Sequence, residues 1–245
     1  MRFAVIGGTG RIGSRVVEVL NAAGHQAVPH ARSTGVDLLT GAGLAQALAG
    51  ADVVVDVTQS PTTDAASRAF FQTTMDNLLA AADAAGVGHA VLLSIVGVDR
   101  VPGLDYYRAK VHQENLVKAG PVPYSIVRAT QFFEFVEEIM DWSTDGDTVR
   151  LPSTRMQPVA ADDVARAVAE VAAGAPLKGV RDVAGPDVFP LAELGRMALA
   201  GRGDSRRTVV TDDTAGRFAE VEGDAIIAPG DAYLAPTHYR DWLAG

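Results

Sequence analysis

Seven residues near the N-terminus constrain the chain more than any others. Gly7-Gly8-Thr9-Gly10-Arg11-Ile12-Gly13 follows the apolar segment Phe3-Ala4-Val5-Ile6 and opens a stretch in which Ile12, Val16, Val19, Leu20 and Ala23 recur at helical spacing before Gly24. Strand, glycine turn and amphipathic helix therefore follow one another directly. The turn satisfies both G-x-G-x-x-G (Gly8, Gly10, Gly13) and G-x-x-G-x-x-G (Gly7, Gly10, Gly13). Such glycines allow a tight turn, a close approach of backbone to a pyrophosphate, and close packing of helix on strand. The helix N-terminus adds unpaired N–H groups and a positive dipole end. This context predicts a dinucleotide site carried by Gly7, Thr9, Gly10, Arg11, Ile12 and Gly13.

The rest of the pattern predicts an α/β protein, a Rossmann doubly wound parallel sheet with helices on both faces. Strands are expected at His25 to Ala31, Val36 to Leu38, Asp52 to Thr58, His89 to Val96 and Tyr124 to Thr130. Helices are expected at Gly43 to Ala49, Thr62 to Ala85 and Asp105 to Lys118. Pro29 sits awkwardly in the second strand because it cannot donate to a ladder. After Gln131 the regularity weakens. Phe132 to Met140 reads as helix, Val149 to Leu151 as a short strand, and Asp162 or Asp163 as the cap of a helix through Ala173. Arg181 to Ala184, Leu191 to Leu199 and the C-terminal stretch read as short mixed elements. With no linker or repeat, residues 1–245 are expected to form a single domain. About 1–130 would be the cofactor-binding core and about 131–245 a small substrate-side cap.

Composition excludes several classes. A formal net charge of -9 argues against nucleic acid, whose binding rests on phosphate neutralisation. The absence of cysteine excludes disulfides, thiolate nucleophiles and cysteine metal sites, and fits a cytoplasmic location. No His, Asp and Glu spacing suggests a metal. The N-terminus lacks the features of a secretory signal, and the apolar run from Ala90 to Val98 is too short for a bilayer. The expected partner is a small-molecule substrate, and the expected state is monomer or homodimer.

The end of the second strand bears on cofactor choice. NAD sites place an Asp or Glu there to accept from the ribose 2′-hydroxyl. Here the segment is Pro29-His30-Ala31-Arg32-Ser33-Thr34, without an acid. Arg32 and Ser33 stand where a 2′-phosphate needs a cation and a hydroxyl, with Arg11 as a second cation. NADP(H) is therefore expected over NAD(H), the alternative being that Arg32 is a solvated strand-end residue. Asp37 and Leu38 would border the adenine, though Asp37 reads equally well as a turn residue. Thr58, Gln59 and Ser60 follow the next strand and should border the dinucleotide.

These pieces resemble the atypical short-chain dehydrogenase/reductases, and within them the NmrA-like NAD(P)H-binding proteins. The matching segments are GGTGRIG, HARS, GLAQALAGADVVVDV, HAVLLSIVGVD, YYRAKVHQENLVKAGPVPYSIVRATQFFEF and PVAADDVARAVAEV, in the family's order over roughly residues 1 to 173. Tyr106 and Lys110 form Y-x-x-x-K, four residues apart and so on one helical face. A tyrosine can protonate the oxygen of a carbonyl as hydride arrives, and a nearby ammonium would lower its pKa into a useful range. The resemblance implies that Lys110 also binds the nicotinamide ribose and puts Ser94 where it can polarise a carbonyl. Tyr107 is the alternative acid if the helix is rotated. The resemblance also places Phe132 and Phe133 at the start of a substrate pocket, where they supply an apolar wall or are plain core. It implies an NADPH-dependent oxidoreductase acting on a small carbonyl compound or quinone. The alternatives are a non-catalytic NADP(H) sensor, since some relatives lack the tyrosine and do not catalyse, and an epimerase or isomerase.

Overall fold

The computed structural model describes residues 1–245. Strands β1 (Arg2–Ile6), β2 (Gln26–His30), β3 (Val53–Asp56), β4 (His89–Ile95) and β5 (Tyr124–Ala129) alternate with helices α1 (Arg11–Ala22), α2 (Leu44–Leu48), α3 (Ala66–Ala84) and α4 (Asp105–Ala119). They are followed by α5 (Phe135–Trp142), β6 (Thr144–Asp145), β7 (Thr148–Leu151), β8 (Arg155–Met156), α6 (Ala161–Ala173) and β9 (Val180–Ala184). The chain ends with β10 (Phe189–Pro190), α7 (Leu191–Arg202), β11 (Thr208–Thr211), β12 (Tyr233–Leu234) and α8 (Tyr239–Ala244). Seven strands form one sheet in the order β12-β9-β5-β4-β3-β1-β2. The pairs β2/β1, β1/β3, β3/β4 and β9/β12 are parallel. This is the Rossmann-like α/β sheet that the alternation of strand and helix predicts.

The order reverses between β1 and β3: the chain leaves β1 for β2 on one side, then returns to β3 on the other. Ligands in open α/β sheets bind beyond the carboxyl ends of the strands at such a switch point. The glycine turn follows β1, and Thr58 to Ser60 follow β3, so both border it.

Three expectations are corrected. Val36 to Leu38 is not a strand; one isolated bridge, Asp37 to Ala42, is all that forms. Gly35, Gly41 and Gly43 all have positive φ, and the tight reversal that they create leaves no length to run along the sheet. Val36 and Leu38 instead join the core beneath α2 and α3. The sheet therefore ends at β2, which explains Pro29, because an edge strand tolerates a missing donor. Conversely, Arg181 to Ala184 is no loose C-terminal element but lies in β9, and with β12 it extends the main sheet. Asp162 and Asp163 lie inside the first turn of α6 rather than capping it, where carboxylates still favour the positive helix end.

The chain divides into two compact units. The first comprises Met1–Ser94, Asp105–Arg128 and Val164–Arg181. Its core includes Ile6, Leu44, Leu48, Val54, Met75, Leu78, Leu92 and Ile126, all at most 2% exposed. The second comprises Ile95–Leu104, Ala129–Asp163 and Asp182–Gly245. It holds the three-stranded sheet β11-β7-β6 and the β8/β10 pair. Phe133, Tyr239 and Trp242 pack together within it. No helix is long and apolar enough to cross a membrane.

Candidate functional site

The glycine turn is shaped by backbone packing. Gly7 has φ +78°, a conformation that side chains rarely adopt. A Cβ on Gly8 would lie 2.6 Å from Pro29 Cα, and one on Gly13 would lie 2.2 Å from the Gly7 carbonyl oxygen and 2.6 Å from Gly8 Cα. Those two glycines let β1, β2 and α1 meet. The Gly7 and Gly8 N–H groups both donate to the His30 carbonyl, at 2.9 and 3.2 Å. That tie holds the end of β2, with the exposed Arg32 and Ser33 just beyond it, next to the glycine turn.

Thr9, Gly10 and Arg11 are exposed, while Ile12 is buried and anchors α1. No side chain caps α1 and no acid occupies its first turn. Its leading N–H groups have no partners within the helix, and they suit a pyrophosphate. The turn and the residues beside it fit a dinucleotide on these grounds. Gly13→Ala is expected to lower stability by about 1–3 kcal/mol, the range for overpacking, because the atoms it meets are backbone and cannot swing away. Urea unfolding of the variant beside wild type checks this.

The loop after β2 divides the expected adenine residues. Asp37 Oδ1 accepts the Leu39 N–H at 2.8 Å, which makes Asp37 a turn residue. Leu38 is 8% exposed and belongs to the core. Its carbonyl accepts from Asn77 Nδ2 at 2.8 Å, so Asn77 of α3 pins this loop.

Beyond β3 the structure gathers groups from four elements. Asp56 is buried at the end of β3, and its Oδ1 accepts both the N–H (2.9 Å) and the hydroxyl (2.7 Å) of Thr58. Gln59 is exposed and Ser60 is buried. The Ser60 backbone N–H acts on the Tyr106 phenol and favours its ionised form, and the Tyr106 ring lies 6.1 Å from that of Phe71 on α3. Lys110, 3% exposed, donates through Nζ to the Leu93 carbonyl at 2.8 Å and to Gln113 Oε1 at 2.6 Å. It sits 5.1 Å from the Phe71 ring centroid. Gln113 Nε2 in turn donates to Asp56 Oδ2 at 3.1 Å.

Tyr106 and Lys110 are thus both tied to the end of β3, Lys110 through Gln113 to Asp56 and Tyr106 through the influence of Asp56 and Ser60. Tyr107 is also buried, but it is Tyr106 that joins Ser60 and Asp56. The expected effect on the phenol is reversed. Burial pushes the Tyr106 pKa up to about 12, and the Asp56 carboxylate adds to the rise. The reason is geometric: the Lys110 ammonium is held by Leu93 and Gln113, while the negative charge of Asp56 acts on the phenol. Burial also pulls Lys110 down to about 8, against the opposing pull of Asp56 and Glu114.

Ser94 is buried near the end of β4 alongside the Glu114 carboxylate. It helps lower that group's pKa, yet its hydroxyl makes no hydrogen bond of regular geometry. Glu114 is paired through two contacts with Arg128 of β5, Nε to Oε1 at 2.8 Å and Nη2 to Oε2 at 2.7 Å, and with Lys118 at 3.1 Å. In the second unit, Phe133 is 1% exposed between Tyr239 and Trp242, so core is the reading that holds for it. Phe132 is only partly buried and bridges to Val159.

Sequence reasoning missed Asp56, Gln113, Glu114 and the role of Arg128. Asp56 falls inside the strand expected at Asp52 to Thr58, and its partners Thr58 and Gln113 are set by the fold. Gln113 and Glu114 sit three and four residues after Lys110, the spacing that shares its helical face, and that was the available signal.

Comparison with known proteins fits this arrangement. The profile of the NAD(P)H-binding family matches residues 7–174. A (4-alkanoyl-5-oxo-2,5-dihydrofuran-3-yl)methyl phosphate reductase from Streptomyces griseus is 34% identical over 141 residues. That match covers 52% of this chain and 47% of the relative, so the chain spans about half of that protein's length. Among solved structures, the dTDP-4-dehydrorhamnose reductase of Bacillus anthracis in complex with NADP is similar with TM-score 0.77 at 15% identity, over 99% of this chain and 96% of that one. The dTDP-glucose 4,6-dehydratase of Streptomyces venezuelae with NAD gives TM-score 0.74 at 21% identity, over 100% and 95%. An NADPH-dependent quinone oxidoreductase from Escherichia coli gives 0.67 at 20%, over 86% and 78%. At such identities these structures speak for the fold. With the family profile covering most of the chain, the glycine turn in place and the sheet order that of a dinucleotide-binding fold, the chain belongs to the NAD(P)H-binding family.

Proposed function

We propose that the protein is an NADPH-dependent reductase of a small carbonyl compound or quinone. The observation that carries this reading is that the end of β3, beside the switch point of the sheet, gathers both groups: Lys110 is joined to Asp56 through Gln113, and the Tyr106 phenol lies under the influence of Asp56 and Ser60. When bound, the cofactor supplies hydride. The residues of the chain supply the rest. Tyr106, kept protonated by its raised pKa, donates the proton to the substrate oxygen. Lys110 has three N–H groups and directs two of them at protein acceptors. The third remains for a ribose hydroxyl. Ser94, whose hydroxyl lacks a regular protein partner, orients the carbonyl oxygen. Gly7, Thr9, Gly10, Arg11, Ile12 and Gly13 hold the pyrophosphate at the start of α1. Thr58, Gln59 and Ser60 border the dinucleotide. The named substrate of the Streptomyces griseus relative also carries carbonyl groups, which supports the substrate class.

The NADP preference rests on Arg32 and Ser33 and on the absence of an acid in that turn. Arg32→Ala is expected to weaken NADPH binding by about 1.5–3 kcal/mol, the range for a hydrogen bond to a charged group, and to leave NADH binding nearly unchanged. Titration of the two cofactors by fluorescence checks this; equal losses overturn the assignment. The function itself is tested by NADPH oxidation against a panel of quinones, aldehydes and ketones. Turnover supports a reductase, whereas tight NADPH binding without turnover on any member favours a sensor.

A further inference from the structure

Gln113 is 0% exposed, and the direction of its amide is forced. Lys110 can only donate, so Oε1 faces it; Asp56 accepts through Oδ2, so Nε2 faces that side. The remaining neighbour of Nε2 is the Met75 thioether, 3.8 Å away. A chain of hydrogen bonds thus runs from Thr58 through Asp56 and Gln113 to Lys110, joining the end of β3 to the face of α4 below Tyr106. A residue serving only to fill this space would be apolar, since each buried polar group must be satisfied at some cost.

We propose that Gln113 is a positioning residue: its amide relays the Asp56 carboxylate to Lys110, holding the lysine as an ammonium in one orientation with one N–H left for a ligand. The role of Lys110 in turnover rests on the reductase reading, but the relay itself does not. The charged groups acting on Lys110 are Asp56 from β3 and Glu114 from α4. Glu114 is balanced by Arg128 and Lys118. From α3 the Phe71 ring faces Lys110 and the Met75 thioether faces Gln113, and from β4 comes the Leu93 carbonyl. Gln113 is therefore the one neutral group placed to pass the influence of Asp56 onward.

The test reads the lysine directly. The chain has three lysines, Lys110, Lys118 and Lys178, so ¹³Cε-lysine labelling gives three resonances, with Lys110→Met assigning one. In the wild-type protein, Lys110 is expected to titrate near pH 8, where burial pulls it down against Asp56 and Glu114, and the relay is read from how that midpoint moves in the variants. Gln113→Met keeps the volume and removes the relay, and should lower the midpoint by about one pH unit. Gln113→Glu restores an acceptor and adds charge, and should raise it by about one unit or more. A midpoint unchanged in Gln113→Met overturns the relay. If that variant does not fold, Gln113→Glu decides, and an unchanged or lowered midpoint there overturns it. Kinetics separate the two readings. Shifted titration with no turnover on any substrate leaves the relay standing and removes the reductase. Turnover whose pH profile is identical in wild type and Gln113→Met does the reverse.

Discussion

Tyr106→Phe is expected to reduce kcat by about 100- to 10,000-fold while NADPH binds within a factor of a few of wild type. That range is what a positioned general acid contributes. The variant keeps the ring that packs near Phe71 and removes only the hydroxyl that the Ser60 N–H meets. Tyr107→Phe serves as the comparison. A large loss there with little change in Tyr106→Phe would transfer the role to Tyr107. The pH profile sharpens the assignment. Tyr106, at about 12, stays protonated throughout the working range, so the basic limb should not be its own. Lys110, lowered to about 8, loses its charge first. Turnover should therefore fall as pH rises through about 8, and a limb displaced to near 12 would mean that Lys110 is not required in its charged form.

Glu114→Leu is expected to destabilise the protein by about 3–5 kcal/mol, the cost of breaking a buried ion pair from one side. The Glu114 side chain is 1% exposed and that of Arg128 13%, so the guanidinium would lose its carboxylate in a largely buried site. Burial alone would raise the Glu114 pKa. Hydrogen bonds and charge from Arg128, with help from Ser94 and Lys118, reverse this and lower it. A carboxyl whose folded pKa lies below its unfolded value contributes stability above the unfolded value of about 4.3. That contribution is lost as pH falls through the folded value. Denaturant melts at pH 7 and pH 4 should show the gap between wild type and Glu114→Leu narrowing in acid. Adding Arg128→Met should recover much of the loss, because an apolar pair of similar volume often replaces a buried ion pair at little cost. A double variant as unstable as the single one would show that Arg128 acts through other contacts.

Much of this protein was determined by sequence alone, where the relevant interactions are local. The glycine turn was legible because a strand, a reversal and a helix follow within about a dozen residues, and the steric need for glycine at Gly13 arises inside that unit, whereas that at Gly8 arises partly against Pro29 of β2. The alternating strands and helices of the first 130 residues were legible for the same reason, since their periodicity is a local property. The pairing of Tyr106 with Lys110 followed from helical geometry.

Tertiary structure decided what depends on partners distant in sequence. The fate of Val36 to Leu38 turned on three glycines that fold the loop back under α2, whereas periodicity suggested only an apolar run. The two final strands of the main sheet, β9 and β12, are short and add to edges built much earlier in the chain. The direction of the Tyr106 pKa shift was misjudged because Lys110, four residues on along the same helical face, proved less decisive than burial and Asp56, fifty residues before Tyr106. Burial and Coulomb interactions depend on distance in space, and the assembled sheet and helices alone bring Asp56, Gln113 and Lys110 into one chain of hydrogen bonds.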